Sequence, residues 1–262
     1  MTVALVRRPS TRLAEGIVTH IARQAVDVPL ALRQWDGYVA ALLGAGWSVR
    51  EVPPLESAPD SVFVEDTVVM FRDVAIITRP GNDIRKPETT AVERVVREMG
   101  CRIERIEAPG TLDGGDVLKV GDTIYVGLGG RTNQAGIDQF SRIVRALGAT
   151  VVTVPVSKVL HLKSAVTALP DGTIIGWEPV VDDTSVFPTF LSMPEEQGAH
   201  VVVVDDKRLL MSAHAPRSAE LLRQRGFQPL LVDISEFEKL EGCVTCLSVR
   251  VRGKQLEPAY AR

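Results

Sequence analysis

The sequence is short of several things, and each shortage removes a class of protein. Only three of its 262 residues are cysteine, so no disulfide framework holds it together, and reduced thiols in a cytoplasm are expected. Aromatic residues make up 5% of the chain, which leaves Val, Leu, Ile and Ala to fill the core. No apolar run approaches the roughly 20 residues of a membrane span. The opening "MTVALVRRPS" has too short an apolar stretch for a signal peptide. An excess of one charge is missing too. The 30 Lys and Arg stand against 33 Asp and Glu, interspersed, for a net −3, which argues against a nucleic-acid or membrane-surface partner. No Ser/Gly-rich linker or charge run divides the chain. With 45% apolar and 24% charged residues, it reads as one globular domain over residues 1–262, with a core at about 3–252 and a frayed tail at 253–262. Two lobes are the alternative.

What is present is self-similarity. "VALVRRPS" at 3–10 returns as "VAIITRPG" at 74–81. "DTIYVGLGGRTN" (122–133), "GTIIGWEP" (172–179) and "DKRLLMSAHAPRS" (206–218) repeat the same strand-like pattern. Helical stretches with apolar residues three and four apart follow at 32–46, 89–100, 136–148 and 217–226. Each ends in glycine, which tolerates the left-handed C-terminal position. A second strand follows each glycine: "WSVREVP", "CRIERIEAP", "ATVVTVP" and "FQPLLVDI". Strand, helix, Gly, strand therefore recurs at roughly fifty residues, a period that marks a repeat architecture. The unit at 172–205 is the least regular, and "VFPTFLSMP" reads as poorly helical. Such units need neighbours to bury their apolar faces, so one closed α/β domain is expected.

Polar residues fall at one place in the repeat, after the second strand. They are Asp60, Glu65 and Asp66 in "DSVFVEDTVVMF", Asp113 and Asp116 in "GTLDGGDVL", His161 in "SKVLHLKS", and Cys243 and Cys246 in "EGCVTCLSVRV". Units packed around a shared axis would bring carboxylates, an imidazole and a thiol to one end of it. Taken singly, each has a duller reading: a structural histidine, a Gly-Gly turn using positive φ, a solvated acidic turn, an inert thiol.

The C-x-x-C spacing of Cys243 and Cys246 has three readings. A thioredoxin-type pair needs its first cysteine at a helix N-terminus, yet "CLSVRVRG" looks β-like. A zinc site needs two more ligands, and there is no second cysteine pair. A Cys–His nucleophile needs a base such as His161 and an orienting acid such as Asp113. That reading makes one thiol the nucleophile and the other a bystander.

"DSVFVEDT", "IITRPGNDIRKPET", "TLDGGDVL", "GGRTNQAG", "VLHLKS" and "GCVTCLSVR", six motifs in order between residues 3 and 252, resemble the dimethylarginine dimethylaminohydrolases. The resemblance implies a five-fold pseudo-symmetric α/β propeller (pentein) fold. It also implies conversion of dimethylarginine, and of monomethylarginine, to citrulline and the amine through a Cys-thiouronium intermediate. By that resemblance Cys246 is the nucleophile, His161 the acid/base and Asp113 the carboxylate that orients it. Glu65 and Asp66 would bind the guanidinium, and Asp60, Arg85 and Arg131 the α-amino acid end. Ile17 would lie in a lid around residues 14–20. The partner would be a small methylated arginine, with no metal or organic cofactor, in a monomer or homodimer. Ala199-His200 departs from the Ala-Asn of several relatives.

Three rivals carry different expectations. An arginine deiminase-like or other guanidino or ureido hydrolase would keep the mechanism and change the substrate, although deiminases carry a helical insertion for which this chain has no room. A C-x-x-C thiol oxidoreductase would not need His161. A non-catalytic binding protein would not need a nucleophile. Arg85, beside Lys86, could also be a surface ion pair.

Overall fold

The computed structural model describes residues 2–252; the expected tail at 253–262 lies outside the described residues. The elements run β1 (Thr2–Arg7), α1 (Val28–Gly44), β2 (Ser48–Val52), β3 (Val68–Phe71), β4 (Val74–Ile77), α2 (Thr89–Glu98) and β5 (Arg102–Arg105). They continue with β6 (Val117–Val120), β7 (Thr123–Leu128), α3 (Gln134–Arg145), β8 (Thr150–Pro155), β9 (Val166–Ala168), β10 (Ile174–Gly176) and β11 (Phe190–Ser192). The last are β12 (Val201–Val203), β13 (Arg208–Ser212), α4 (Pro216–Gln224), β14 (Gln228–Val232), α5 (Ser235–Glu238) and β15 (Val249–Arg252).

These strands form five three-stranded sheets: β15-β1-β2, β3-β4-β5, β6-β7-β8, β9-β10-β11 and β12-β13-β14. In each, the middle strand pairs parallel on one side and antiparallel on the other. The fold is the five-fold α/β propeller, each sheet one unit. The first unit takes its third strand from the far end of the chain, with Thr2 opposite Arg252 and Leu5 opposite Val249.

The unit differs from the sequence expectation by one strand. "TVVMF", "VLKV", "VTA", "VVV" and "VRVR" are short and follow polar turns directly, so they show no period of their own. Each nonetheless pairs antiparallel with its unit's middle strand. The glycines expected to end the helices do so: Gly46, Gly100, Gly148 and Gly226 have φ of +87, +79, +86 and +89°. In the fourth unit two 3-10 turns, Glu178–Val180 and Thr184–Val186, stand where the other units have a helix.

Packing follows the helical spacing. α2 buries Val92, Val95 and Val96, and α3 buries Ile137, Phe140 and Val144, each the one-sided stripe of an amphipathic helix. Phe140 is fully buried, worth about 2–3 kcal/mol by area. α1 starts at the Asp27 cap, whose carboxylate accepts the Leu30 N–H. It buries Trp35 and Tyr38 against the last loop of the chain. The Tyr38 hydroxyl donates to the Val244 carbonyl at 2.9 Å and lies 2.8 Å from the Ser248 hydroxyl, which ties that loop to the first helix. Among the described residues no helix is long and apolar enough to cross a membrane.

Candidate active site

Each of the five inner strands is preceded by a loop holding a tight 3-10 turn or bend, and these loops carry the polar residues. Pro59–Val62 and Val64–Thr67 precede β3, Gly114–Asp116 precedes β6, Leu162–Ser164 precedes β9, and Glu196–Ala199 precedes β12. The Cys243–Ser248 loop precedes β15. Because the inner strands adjoin one another around the axis, the starts of the strands converge. Asp60, Asp66, Arg85, Arg131, His161, Cys246 and Ile17 line one small cavity of about 20 Å³, closed by Leu160, Leu240, Glu241 and Gly242.

Within it, His161 Nε2 and Asp113 Oδ2 are 2.9 Å apart, with Asp113 fully buried. Asp113 is held from its other oxygen by the Gly81 N–H at 2.8 Å. His161 Nδ1 faces the cavity, 3.8 Å from Asp66 Oδ1. Burial by itself lowers the imidazole pKa, but the carboxylates of Asp66, Asp113 and Asp116 outweigh it and hold His161 up at about 9. Asp66 is buried as well, yet the His161 charge and the Arg85 ion pair hold it down to about 2. The site therefore rests with an imidazolium beside a carboxylate at neutral pH.

Gly114 and Gly115 shape this pair by close approach. Both have φ outside the left-handed region, so the turn reading of Gly-Gly does not apply. A Cβ on Gly114 would meet the Glu65 carbonyl at 2.0 Å, and one on Gly115 would meet His161 Nδ1 at 2.6 Å. Asp116, buried with a carboxyl pushed up to about 6 chiefly by burial, accepts the Leu162 N–H and the Thr132 hydroxyl. It thereby fixes the backbone next to His161.

Cys246 is 6% exposed, and its sulfur is 3.4 Å from that of Cys243. Both are free thiols. The hydrogen bond with Cys243, then burial, then the nearby carboxylates push the Cys246 thiol well up, so it needs a cation beside it to ionise. Cys243 is held by the Thr245 hydroxyl at 3.3 Å and lines a different cavity with His200. Of the two, it is Cys246 that lines the cavity with His161.

The basic residues divide by role. Arg85 is buried rather than a surface ion pair, and its guanidinium is committed inward. It bonds Asp66 at 2.6 Å, Glu88 through both Nε and a terminal nitrogen, and the carbonyls of Asp60 and Phe63. Glu88 gave no sign of this from sequence beyond lying three residues from Arg85. Arg131 is 9% exposed, and one terminal nitrogen is buried without a hydrogen-bond partner.

The structure does not bring Glu65 into this cavity. Its carboxylate pairs with Lys163 and accepts the Thr245 hydroxyl at 2.9 Å, lining a larger cavity behind. Asp60 spends its carboxylate on the Ile17 N–H, at 3.1 and 3.2 Å. Two residues on, the Thr19 and His20 N–H groups are taken by Glu241 at 2.7 and 2.6 Å. The segment around Ile17 is thus pinned at two carboxylates.

Ligand atoms of Asp66, Asp113 and His161 lie within 4.8 Å of one another, a set that could take a divalent ion. All three are already engaged within the protein, His161 Nε2 with Asp113 at 2.9 Å and Asp66 with Arg85 at 2.6 Å.

No family model matches the chain. It is 65% identical over 249 residues, 95% of its length and 96% of the relative's, to a Streptomyces coelicolor N(G),N(G)-dimethylarginine dimethylaminohydrolase. It is 36% identical to that of Pseudomonas aeruginosa, over 94% of this chain and 98% of the relative. Among solved structures, a cysteine-to-serine mutant of the Pseudomonas aeruginosa enzyme complexed with citrulline superposes with a TM-score of 0.87 at 35% identity, covering 95% of this chain and 98% of that one. The N-terminal domain of ArgZ, a cyanobacterial arginine dihydrolase, shares the fold with a TM-score of 0.86 at 20% identity, over 98% of this chain and 99% of that one.

Proposed function

The chain belongs to the dimethylarginine dimethylaminohydrolase family, and on that premise we propose that it hydrolyses Nω,Nω-dimethyl-L-arginine to L-citrulline and dimethylamine, with Cys246 as nucleophile. The observation that carries the residue assignment is His161 on the same cavity as Cys246 and Asp66, with the buried Asp113 2.9 Å from its Nε2. A guanidinium is a planar cation with a poorly electrophilic central carbon. Asp66 would bind its N–H edge by charge-assisted hydrogen bonds and hold the carbon in front of the sulfur. The same positive charge would stabilise the Cys246 thiolate, whose proton would leave to solvent because His161 is already protonated. Attack gives a tetrahedral adduct. His161, an imidazolium at rest, gives its proton from Nδ1 to the departing dimethylamine and leaves an alkylthiouronium. Now neutral, it takes a proton from water as the water attacks the same carbon, and collapse frees the thiolate and citrulline.

Arg131, whose Nη1 makes no hydrogen bond and lies 4.0 Å from Asp113, would take the substrate carboxylate through a planar fork, and Arg85 would add its charge from behind Asp66. Glu65 would act through the wall of the site and not on the guanidinium. A cavity of about 20 Å³ holds one water-sized group, so substrate entry would require the segment around Ile17 to leave Asp60 and Glu241. The requirement for a reduced nucleophile supports a reducing, cytoplasmic setting. The pairing of β1 with β15 supports a single catalytic domain, as monomer or homodimer.

The test is citrulline release from asymmetric dimethylarginine and from L-arginine by the native protein, Cys246→Ala and Cys243→Ala. Release from the methylated substrate should vanish in Cys246→Ala and survive in Cys243→Ala. Equal loss in both variants would overturn the nucleophile, and release chiefly from arginine would overturn the substrate.

A further inference from the structure

The larger cavity has no part in this chemistry. It measures about 470 Å³ and runs between the inner strands, lined by Val68–Met70 of β3, Val117–Val120 of β6, Thr167 and Ala168 of β9, Val201–Val203 of β12 and Val249, Arg250 and Arg252 of β15. Its floor is the Glu65–Lys163 ion pair and Thr245. Beyond that floor lies the catalytic loop, where the Glu65 N–H donates to the Cys246 carbonyl at 3.2 Å.

The charges on its wall do not balance. Lys119, Lys163, Arg250 and Arg252 reach it, against Glu65 and Asp171. With Lys163 and Glu65 counted as a neutral pair, three basic side chains, Lys119, Arg250 and Arg252, face the one carboxylate of Asp171. Lys119 donates to the Met70 carbonyl at 2.7 Å, and Arg250 to the Val203 carbonyl at 2.7 Å. Neither they nor Arg252 have a carboxylate partner among the described residues. Burial with like-charged neighbours holds the Lys119 ammonium down to about 7 and the Arg250 guanidinium down to about 10. Carbonyls satisfy donors without neutralising them; Lys119 and Arg250 are half-buried and Arg252 is exposed, so water only partly screens the charge of the first two.

We infer that this channel is a binding site for a doubly charged oxyanion, phosphate or the phosphoryl group of a small metabolite, held by Lys119, Arg250 and Arg252. The volume lies within the roughly 300–1,000 Å³ of ordinary ligand pockets. Guanidinium forks match the planar edge of a phosphate, and an ammonium adds a point charge. Thr245 and Ser248 also line this space, their hydroxyls engaged by Glu65 and Tyr38. No residue lines both this channel and the catalytic cavity.

Calorimetric titration tests the site. Inorganic phosphate, sulfate and glycerol 3-phosphate are each titrated into the full chain at constant ionic strength, and into Lys119→Met, Arg250→Met and Cys246→Ala. Saturable one-site binding is expected. Each channel variant should weaken it roughly ten- to hundred-fold, as removal of one charge-assisted contact does, with unfolding midpoint and citrulline release retained. Cys246→Ala should bind as the native protein does, and citrulline should not compete. Tighter binding of the monoester would identify a metabolite's phosphoryl group, and equal binding the free oxyanion. The inference is overturned by no saturable binding, by binding that both folded channel variants keep, or by competition with citrulline, which would put the anion on Arg131.

Discussion

Replacing Asp113 by Asn removes one negative charge and almost no volume. Its Oδ1 can still accept the Gly81 N–H, which turns the amide nitrogen toward His161 Nε2. Two donors then face each other whenever His161 is protonated. The imidazole now stands at about 9 against an ordinary 6.5, with Asp66, Asp113 and Asp116 as the raising carboxylates. A lost hydrogen bond to a charged group costs about 1.5–3 kcal/mol, or roughly one to two pKa units at about 1.36 kcal/mol each. Asp66 and Asp116 supply the remainder, so His161 should fall to roughly 7–8. His161 donates its proton in the first half-reaction, so the high-pH limb of kcat marks loss of the imidazolium. In Asp113→Asn that limb should move from near 9 to roughly 7–8, with most of the defect at pH 8.5 recovered at pH 6. The assay is citrulline release from pH 5.5 to 10, beside NMR titration of ring-labelled histidine. A limb that stays near 9 in the folded variant would refute the argument that Asp113 holds the proton on His161.

Gly115→Ala puts a Cβ 2.6 Å from His161 Nδ1 and must displace the ring. A displacement near 1 Å costs about a hundred-fold in rate, so steady-state kcat should fall that far, and a change under threefold would refute the close-approach reading. Lys163→Met leaves Glu65 buried without its cation, a loss on the order of 3–5 kcal/mol read by chemical unfolding. Burial raises the Glu65 pKa and Lys163 opposes the rise. The variant's deficit should therefore grow as pH rises through the elevated Glu65 pKa and shrink at pH 5, and Glu65→Met in the same chain should recover stability. A pH-independent deficit would contradict this. Glu241→Ala frees the Thr19 and His20 N–H groups and removes a non-glycine residue from φ +62° only to replace it with another. Proteolysis after Arg23 should accelerate severalfold with little change in global stability, and unchanged cleavage would show that Asp60 alone pins the segment.

The sequence by itself determined the repeat. Apolar spacing and the helix-ending glycines are local signals, so they survive without knowledge of neighbours, and Gly46, Gly100, Gly148 and Gly226 sit at the positive φ expected of them. It also determined that His161, Asp113 and Cys246 occupy equivalent loops, because a repeat carries equivalent positions to one end of its axis. Direction was another matter. Glu65 and Asp66 are neighbours on one 3-10 turn, where successive side chains diverge by about 120°; one faces the catalytic cavity and the other the channel behind it. No pattern of types in "VED" separates them. Arg85 was legible as a cation but not as the buried partner of Asp66 and Glu88. Gly115 was legible as a turn former but not as the floor under an imidazole. The unbalanced charges of the channel come from β6 and β15, far apart in the chain, so only the closed ring assembles them. Composition fixes how many charges there are, and the tertiary structure decides which of them meet.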